Sequence, residues 1–317
     1  YLAVVAAGAV YLPLNTGYTL AELEYFIGDA EPRIVVCRPE SAAGLAPLAG
    51  RLGVAHCLTL GTEGDGTLMT QAASAPPELS IVPRAAHDLA AILYTSGTTG
   101  RSKGAMLTHR NLLSNALTLV DYWRFSGKDV LLHALPIYHT HGLFVASNII
   151  LLVGGTMIFL PKFDADAVIR QLPRATSMMG VPTFYTRLLR HPGLTRDLVK
   201  HIRLFTSGSA PLLAETHKEW QARTGHRILE RYGMTETNMN TSNPYDGDRI
   251  AGTVGFPLPD VALRIADPET GAPIRQGDIG VIEVKGPNVF KGYWQMPEKT
   301  AAEFRPDGFF ITGDLGK

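Results

Sequence analysis

The sequence predicts an α/β protein in which helices are layered on β-sheets, with a β-rich subdomain near the C-terminus. Two observations support this class. Short apolar runs typical of buried strands alternate with helix-capping signals over residues 1–250. Beyond about residue 250, strand-like runs are separated by Gly, Pro and Asp turns rather than by helices. We therefore predict an α/β body over residues 1–250 and a β-rich subdomain over residues 251–317.

Composition narrows the classes of function. The 317 residues can bury a large core and form more than one lobe. Lys and Arg together number 29, as do Asp and Glu together, so the formal net charge is +0. The sequence therefore has no excess of positive charge that would indicate binding to nucleic acid or to a membrane surface. The apolar stretch 145–160 is broken at Gly154-Gly155, which predicts a buried helix followed by a strand. Cys37 and Cys57 lack metal-site spacing and suit a reducing cytosol, so we expect a cytoplasmic protein.

Helix and strand signals follow one another along the chain. Thr19-Leu-Ala-Glu22 is a capping box that predicts the start of a helix. Asp164 is predicted to cap a second helix and Pro211 to lie in the first turn of a third, while residues 61–83 are predicted to form a surface linker. Strands are predicted at residues 34–37, 89–93, 130–134, 156–160, 177–179 and 203–206, and beyond residue 250 at 261–265, 281–285 and 309–312.

The stretch at residues 94–104, Tyr-Thr-Ser-Gly-Thr-Thr-Gly-Arg-Ser-Lys-Gly, combines glycines, hydroxyls and two cations after a predicted strand. Thr108 follows as a predicted N-cap, and helical spacing continues at Leu112, Leu113, Ala116 and Leu117. We therefore predict a strand, a glycine-rich loop and a helix. Such a loop turns backbone N–H groups toward an anion, so it predicts a polyphosphate site. The spacing is neither that of a Walker loop nor G-x-G-x-x-G.

A second polar segment, Glu-Arg-Tyr-Gly-Met-Thr-Glu at residues 230–236, follows a strand that is predicted to start near Ile228. Ligands collect at the carboxyl ends of strands in α/β sheets, so this segment is predicted to face the same crevice as the loop. Thr235 and Glu236 offer hard oxygen atoms suited to a Mg²⁺ ion that bridges phosphates. Taken alone, the segment is also explained as a polar turn at a strand end.

Two further segments have a chemical and a plain structural interpretation. His139 and His141 in Pro-Ile-Tyr-His-Thr-His-Gly at 136–142 are spaced as a metal pair, but no third ligand lies nearby in sequence. The segment Phe-Thr-Ser-Gly-Ser-Ala-Pro at 205–211 has small side chains that let a flat ring lie against the backbone. A tight turn between a strand and a helix accounts for the second segment equally well.

Together these segments resemble the motifs of the adenylate-forming superfamily, which includes acyl-CoA synthetases, peptide-synthetase adenylation domains and luciferases. The phosphate loop matches at 94–104, Tyr-Gly-x-Thr-Glu at 232–236 and Pro-x-x-His-x-x-Gly at 136–142. Further matches lie at 207–211, 252–257 and 312–314, so the resemblance covers essentially the whole chain in the family's order. It implies the large N-terminal lobe of the adenylate-forming fold.

The resemblance also implies roles for individual residues. Tyr232 would stack on adenine, Thr235 would contact phosphate, Glu236 would hold Mg²⁺ and Asp314 would hydrogen-bond the ribose. The implied ATP-binding residues are Thr95, Ser96, Gly97, Thr98, Thr99, Gly100, Lys103, Ser209, Ala210, Pro211, Glu230, Arg231, Tyr232, Gly233, Met234, Thr235 and Asp314. The implied catalytic residues are Thr95, Lys103, His139, Thr235 and Glu236. The implied acid-binding residues are His139, Arg187, Ser207, Gly208 and Met234.

The amino-acid sequence at residues 138–141 and 180–188 most resembles that of the bacterial malonyl-CoA synthetases. This resemblance implies an ATP-dependent carboxylate–CoA ligase that forms an acyl-adenylate and then a thioester, releasing AMP and pyrophosphate. Malonate or methylmalonate would be the acid and coenzyme A the acceptor. The second carboxylate of such an acid must be paired once it is desolvated. A guanidinium group does this bidentately, and we predict Arg187 for that role.

Two alternatives stay open, and one part of the family pattern is missing. In the family a C-terminal domain with an adenylation lysine follows the Thr-Gly-Asp segment, and this sequence ends before it, so we expect a piece of a longer protein.

The first alternative function is an adenylation domain that loads an amino acid onto a carrier protein. No acidic residue lies between Ala134 and Phe163 to bind the amine, which argues against it. The second alternative is a nucleotide-binding lobe that is inactive by itself.

Overall fold

The computed structural model describes residues 1–78, 80–95 and 101–317. Its helices are α1 Leu2–Ala6, α2 Leu20–Ala30, α3 Ala42–Arg51, α4 Thr67–Ala73, α5 His109–Tyr122, α6 Ser147–Val153, α7 Ala165–Gln171, α8 Pro182–Leu189, α9 Arg196–Val199, α10 Ala214–Thr224 and α11 Pro297–Ala302. Short 3₁₀ turns lie at Pro39–Ser41 and Leu172–Arg174, and a π-helical turn at His141–Ala146 leads into α6.

Strands alternate with these helices and become denser toward the C-terminus. They are β1 Ile34–Cys37, β2 His56–Thr59, β3 Leu89–Thr95, β4 Lys103–Thr108, β5 Val130–His133, β6 Thr156–Phe159, β7 Ser177–Gly180, β8 Leu204–Ser207, β9 Leu229–Met234, β10 Asn238–Ser242, β11 Phe256–Pro257, β12 Ala262–Ala266, β13 Gly280–Lys285, β14 Gly292–Tyr293 and β15 Phe310–Gly316. The predicted α/β class is confirmed.

A seven-stranded sheet forms the centre of the body, in the order β11-β10-β9-β8-β7-β5-β6. Five neighbouring strands of this sheet, β9, β8, β7, β5 and β6, are parallel. Strands β10 and β11 add antiparallel neighbours at the β9 edge. Strands β7 and β8 are buried along their whole length, as expected for parallel strands that are covered on both faces. The core around this sheet includes the fully buried indoles of Trp123 and Trp220.

Three smaller sheets accompany the central one. β1 and β2 form a parallel pair, β14-β4-β3 is antiparallel, and β12-β13-β15 is antiparallel. The last of these is the β-rich part that the sequence predicts beyond residue 250. Two other strands from that part join earlier sheets, because β11 pairs with β10 and β14 pairs with β4. The division into two parts at residue 250 stays a prediction.

The predicted helix caps are confirmed. Thr19 and Glu22 form the reciprocal capping box of α2, and the Asp164 carboxylate accepts the Ala167 N–H at 2.8 Å. Thr108 caps α5, where Asn111 takes the place of the usual acidic partner. These side chains satisfy backbone donors that a helix start leaves without partners.

The structure corrects two predicted elements. Residues Lys103–Thr108 form strand β4, so a β-hairpin rather than a direct turn into a helix flanks the glycine-rich loop. The helix itself begins at His109, as the predicted Thr108 cap requires, and the intervening Ala105 and Leu107 are buried in the hairpin core. Pro211 precedes α10 and is not in its first turn, because Leu213 is still extended and the helix begins at Ala214.

Within residues 1–78, 80–95 and 101–317, no helix is both long and apolar enough to cross a membrane.

Candidate functional site

The β3–β4 hairpin places Thr95 and Lys103 opposite each other at the open end of the strands. The Thr95 hydroxyl is buried and has no hydrogen-bond partner in the described part of the chain. A buried hydroxyl of this kind is suited to a ligand oxygen. The predicted phosphate-binding residues Ser96, Gly97, Thr98, Thr99 and Gly100 lie outside the described residues.

Helix α2 holds both ends of this loop. On one side the Tyr94 hydroxyl hydrogen-bonds the Asp29 carboxylate, and on the other the Tyr25 hydroxyl donates to the Ser102 carbonyl at 2.6 Å. The indole N–H of Trp294 donates to the Asp29 carbonyl at 3.0 Å. These contacts fix where the loop leaves β3 and where it enters β4.

Lys103 belongs to a cluster of charges that comes from three distant parts of the chain. Its Nζ lies 3.2 Å from Glu303 Oε1 and 4.2 Å from the centre of the Tyr293 ring. The Tyr293 hydroxyl lies 2.6 Å from Glu303 Oε2 and 3.0 Å from Glu236 Oε1. Since a hydroxyl has one hydrogen, it cannot donate to both carboxylates at once.

The two carboxyl groups of this cluster differ in acidity. Burial raises the pKa of Glu236, and the Tyr293 hydrogen bond and the Lys103 charge offset this only in part. Burial also acts to raise the pKa of Glu303, but hydrogen bonds from Lys299 and Tyr293 and the Lys103 charge outweigh it and lower that pKa. The arrangement therefore favours an ionised Glu303, whereas Glu236 is costly to ionise until a cation arrives.

The residues around Glu236 fit a magnesium ion that is shared with phosphate. Within the described ranges, no group of three or more His, Cys, Asp or Glu side chains could hold a metal by itself. Mg²⁺ is commonly held by one or two carboxylates together with substrate phosphates. Glu236 is 5% exposed and adjoins the hairpin that carries Lys103, so it suits such a shared site.

The residues predicted for adenine and ribose meet in space. The Tyr232 hydroxyl donates to Asp314 Oδ2 at 2.6 Å, although the two residues are 82 positions apart. Tyr232 lies on β9 and Asp314 on β15, while Ser209, Ala210 and Pro211 form an exposed turn after β8. Met234 and Thr235 are half-buried on the same β9–β10 hairpin as Tyr232.

Glu230 and Gly233 shape this hairpin. The Glu230 carboxylate is buried, lies 2.8 Å from His217 Nδ1 and accepts the Gly252 N–H at 3.2 Å. The single Oε1 atom of Glu230 therefore holds two neighbouring segments together. A side chain at Gly233 would overlap the Asn238 carbonyl, so the strands can cross closely only with glycine there.

The predicted acid-binding residues divide into exposed and buried ones. His139 is exposed beside the Tyr138 ring, whereas His141 is buried with Nδ1 3.2 Å from Ser209 Oγ. Ser207 and Gly208 are buried at the end of β8. Arg187 is exposed on α8, with its guanidinium 4.8 Å from the centre of the Phe163 ring. The structure does not give Arg187 the burial on which its predicted role depends.

Sequence analysis missed Tyr293 and Glu303, and it passed over His141 in favour of His139. Glu303 lies outside every motif and 200 positions from Lys103, so no local pattern could have indicated the pair. For His141 a signal was present. It lies directly before a run of apolar residues, 143–146, which favours burial of its ring.

Comparisons with known proteins identify the family of this chain. A family model described as AMP-binding enzyme matches residues 1–294. The mitochondrial malonate–CoA ligase of Mus musculus is 39% identical, with 97% of this chain and 58% of that protein covered. The malonate–CoA ligase of Arabidopsis thaliana is 35% identical, with 98% and 54% covered. The chain thus spans little more than half the length of these curated relatives.

Solved structures give the same result. The crystal structure of ATP-bound MatB from Rhodopseudomonas palustris is 68% identical with a TM-score of 0.98, and the match covers 100% of this chain and 63% of that one. A malonyl-CoA ligase ternary product complex with methylmalonyl-CoA and AMP is 38% identical with a TM-score of 0.85, covering 99% and 65%. The chain therefore belongs to the AMP-binding enzyme family and has the fold of the N-terminal lobe of adenylate-forming enzymes.

Proposed function

We propose that this chain is the ATP- and acid-binding part of a carboxylate–CoA ligase that converts malonate, or methylmalonate, to its CoA thioester. One observation carries the proposal. The predicted nucleotide residues from distant segments converge, with Tyr232 on Asp314 and with Lys103 linked through Tyr293 to Glu236. Similar structures support the choice of ligands, since one contains bound ATP and another contains methylmalonyl-CoA with AMP.

In the proposed reaction a carboxylate oxygen attacks the α-phosphorus of ATP and pyrophosphate leaves. The acyl-adenylate is then attacked by the thiol of coenzyme A, and AMP is released. The protein's part in the first step is to position the reactants and neutralise charge. Thr95 and Lys103 would face the β- and γ-phosphates, and a Mg²⁺ ion at Glu236 would supply further charge neutralisation.

Lys103 must change partners for this to happen. In this structure its ammonium group is paired with Glu303, which also binds Lys299 at 2.7 Å. Glu303 therefore keeps a cationic partner when Lys103 turns to phosphate. The more highly charged triphosphate competes well for Lys103, because charge-assisted hydrogen bonds strengthen with the charge on the acceptor.

Several features of the whole protein belong to the same proposal. Adenylation at full rate and thioester formation would need a C-terminal domain that supplies a catalytic lysine and part of the CoA site. We also propose that the protein acts in the cytoplasm on small molecules, namely a dicarboxylate, ATP and coenzyme A.

Acid-dependent exchange of labelled pyrophosphate into ATP tests this function in the full-length protein. The panel contains malonate, methylmalonate, propionate, a long-chain fatty acid and a set of amino acids. We expect exchange with malonate, then methylmalonate, and CoA-dependent release of AMP with the same acids. Exchange with amino acids alone, or with none of the acids, would contradict the proposal.

A further inference from the structure

Tyr293 joins two carboxylates that come from distant parts of the chain. Its hydroxyl lies 3.0 Å from Glu236, in the β9–β10 hairpin, and 2.6 Å from Glu303, which follows α11. A tyrosine hydroxyl keeps its single hydrogen at neutral pH, so it donates to one carboxylate at a time. The other carboxylate then faces the hydroxyl oxygen with no hydrogen between them. Glu236 and Glu303 therefore compete for one donor.

The Tyr293 ring is fixed between these two carboxylates. On β14 the residue lies opposite Ala105 of β4, and its backbone N–H donates to the Thr300 hydroxyl at 2.9 Å. The ring is buried and packs edge-on against Phe290, with the ring centres 4.8 Å apart. A ring held in this way cannot follow either carboxylate. The hydroxyl hydrogen can still change direction by rotating about its C–O bond.

Glu303 holds two ammonium groups besides this hydroxyl. Its Oε1 atom lies 3.2 Å from Lys103 Nζ and 2.7 Å from Lys299 Nζ. The side chains of Lys103 and Glu303 are only 16% and 18% exposed, so water replaces a lost partner incompletely. If Lys103 turns to a phosphate, Glu303 has fewer donors left. The hydrogen bond from Tyr293 is then worth more to Glu303, because an ionised acceptor strengthens it.

Glu236 needs the same hydrogen only while no cation is bound to it. The residue is 5% exposed, so its carboxylate is poorly solvated by water. A Mg²⁺ ion at this carboxylate would neutralise it directly. The Tyr293 hydrogen is then free to point to Glu303. A cation at Glu236 thus supplies Glu303 with a full hydrogen bond at the moment when Lys103 is needed elsewhere.

We propose that Tyr293 is a positioning residue that couples a cation at Glu236 to the release of Lys103 from Glu303 toward phosphate. This role rests on the proposed function, and it places part of the Mg²⁺ dependence of ATP binding in the protein rather than in the nucleotide. Without the cation, release of Lys103 leaves Glu303 with Lys299 and a shared hydrogen. With the cation, the hydrogen belongs to Glu303 alone. Each event therefore favours the other, and the coupling is reciprocal.

Titration calorimetry of the full-length protein with ATP measures this coupling, without acid or coenzyme A present. The Kd is determined once with excess MgCl₂ and once with EDTA, and the ratio of the EDTA value to the MgCl₂ value is compared between variants. The affinity of Mg²⁺ for free ATP is common to all variants and cancels in this comparison. For Tyr293→Phe we expect the ratio to fall about 5-fold or more, chiefly through weaker binding in MgCl₂. The control Tyr122→Phe, the same change on α5 outside the cluster, should keep the wild-type ratio.

Glu303→Gln tests the other end of the hydrogen bond. The amide is nearly isosteric with the carboxylate but does not hold Lys103 by charge. ATP should therefore bind about 3-fold or more tightly than to the wild type in EDTA, as expected when a surface ion pair no longer competes for the lysine. The ratio should fall as well. In the double variant Tyr293→Phe/Glu303→Gln it should fall no further than in the single variants, because both remove the same contact.

Thermal unfolding separates this coupling from a structural role. Tyr293→Phe keeps the packed ring, so its Tm without ligands should be close to that of the wild type. A lower Tm together with equal losses of affinity in MgCl₂ and EDTA would overturn the role of Tyr293. An unchanged ratio in Tyr293→Phe, or additive falls in the double variant, would overturn it too.

The wild-type titrations distinguish this role from the proposed function. If the wild type binds ATP in neither buffer, the proposed function fails, and the role of Tyr293 fails with it. If the wild type binds ATP and supports exchange with malonate but has the same Kd in both buffers, the coupling alone is wrong.

Discussion

Two buried charges in this molecule have opposite surroundings. Glu283 on β13 is fully buried, and both of its oxygens are paired, Oε2 with Arg264 at 2.7 Å and Oε1 with Arg305 at 2.8 Å. Arg231 on β9 is almost as deeply buried but has no partner in the described part of the chain. A satisfied buried charge is explained by the fold, whereas an unsatisfied one indicates a ligand. The contrast distinguishes a charge that the fold pairs from one that has no partner among the described residues.

The Lys103 cluster lies between these extremes. Lys103 is paired with Glu303, but Glu303 also has Lys299, and Glu236 shares the single hydroxyl hydrogen of Tyr293. Glu303 therefore keeps one cationic partner if Lys103 binds elsewhere. Such an exchange of partners would let Lys103 bind a ligand while the Glu303 carboxylate stays paired.

The largest effect is expected where the charge is fully paired. Glu283→Gln leaves Arg264 and Arg305 facing a neutral amide, and we expect the free energy of unfolding to fall by about 3 kcal/mol, the lower end for a broken buried pair. Both arginines are about one-fifth exposed, and Arg264 keeps Asp307, which limits the loss. Urea unfolding measures it, with the exposed Glu269→Gln as control. A loss below about 0.5 kcal/mol would remove the basis of the comparison.

A middle-sized effect is expected for Lys103→Ala, measured as ATP affinity by titration calorimetry. Loss of a charged hydrogen bond to phosphate should weaken ATP binding roughly 10- to 100-fold. Lys299→Ala is the matched control, because Lys299 contacts the same Glu303 carboxylate but lies 44% exposed at α11. Equal losses in both variants would show that Glu303, rather than phosphate, explains the effect of Lys103.

The smallest change in stability is expected for Glu236→Gln. The folded-state pKa of Glu236 is raised by burial, so ionisation costs stability once the pH exceeds the usual carboxyl range. The variant should therefore be slightly more stable than the wild type at pH 7, by less than about 1 kcal/mol. Near pH 4 it should be no more stable, because the carboxyl group is then largely protonated in both the folded and the unfolded protein. Thermal unfolding at the two pH values measures this. Adenylation that depends on Mg²⁺ should be lost, and normal activity at ordinary Mg²⁺ would exclude Glu236 as the ligand.

The fold was largely predictable because parallel strands are buried on both faces. The apolar runs at 130–134 and 177–179 therefore correspond to β5 and β7 within a residue. β4 was missed because its pattern is short and follows glycines. Caps were predictable since Thr19 and Asp164 act within three residues of their own position.

The site was predictable only where its residues lie in motifs. Arg187 and Arg231 are the same residue type, so the sequence alone does not show which of them is buried. Only the packing shows that α8 turns Arg187 outward, whereas Phe184 and Leu188 on the same helix are buried. The partners of Lys103 come from residues 293 and 303, where no short-range pattern indicates chemistry. Motifs therefore identify candidate nucleotide-binding residues, whereas long-range packing decides which charged groups are already paired within the protein.

The pairing of β14 with β4 has a consequence for how the protein is made. Lys103 and Glu303 are 200 positions apart, so a ribosome that adds about 5–20 residues per second needs roughly 10–40 s to synthesise the chain between them. During that time one edge of β4 lacks its neighbour, and an open strand edge is a site for wrong pairing. ATP cannot stabilise the nascent chain through the complete cluster until Tyr293 and Glu303 have emerged. The complete cluster can therefore assemble only after residue 303 has been synthesised.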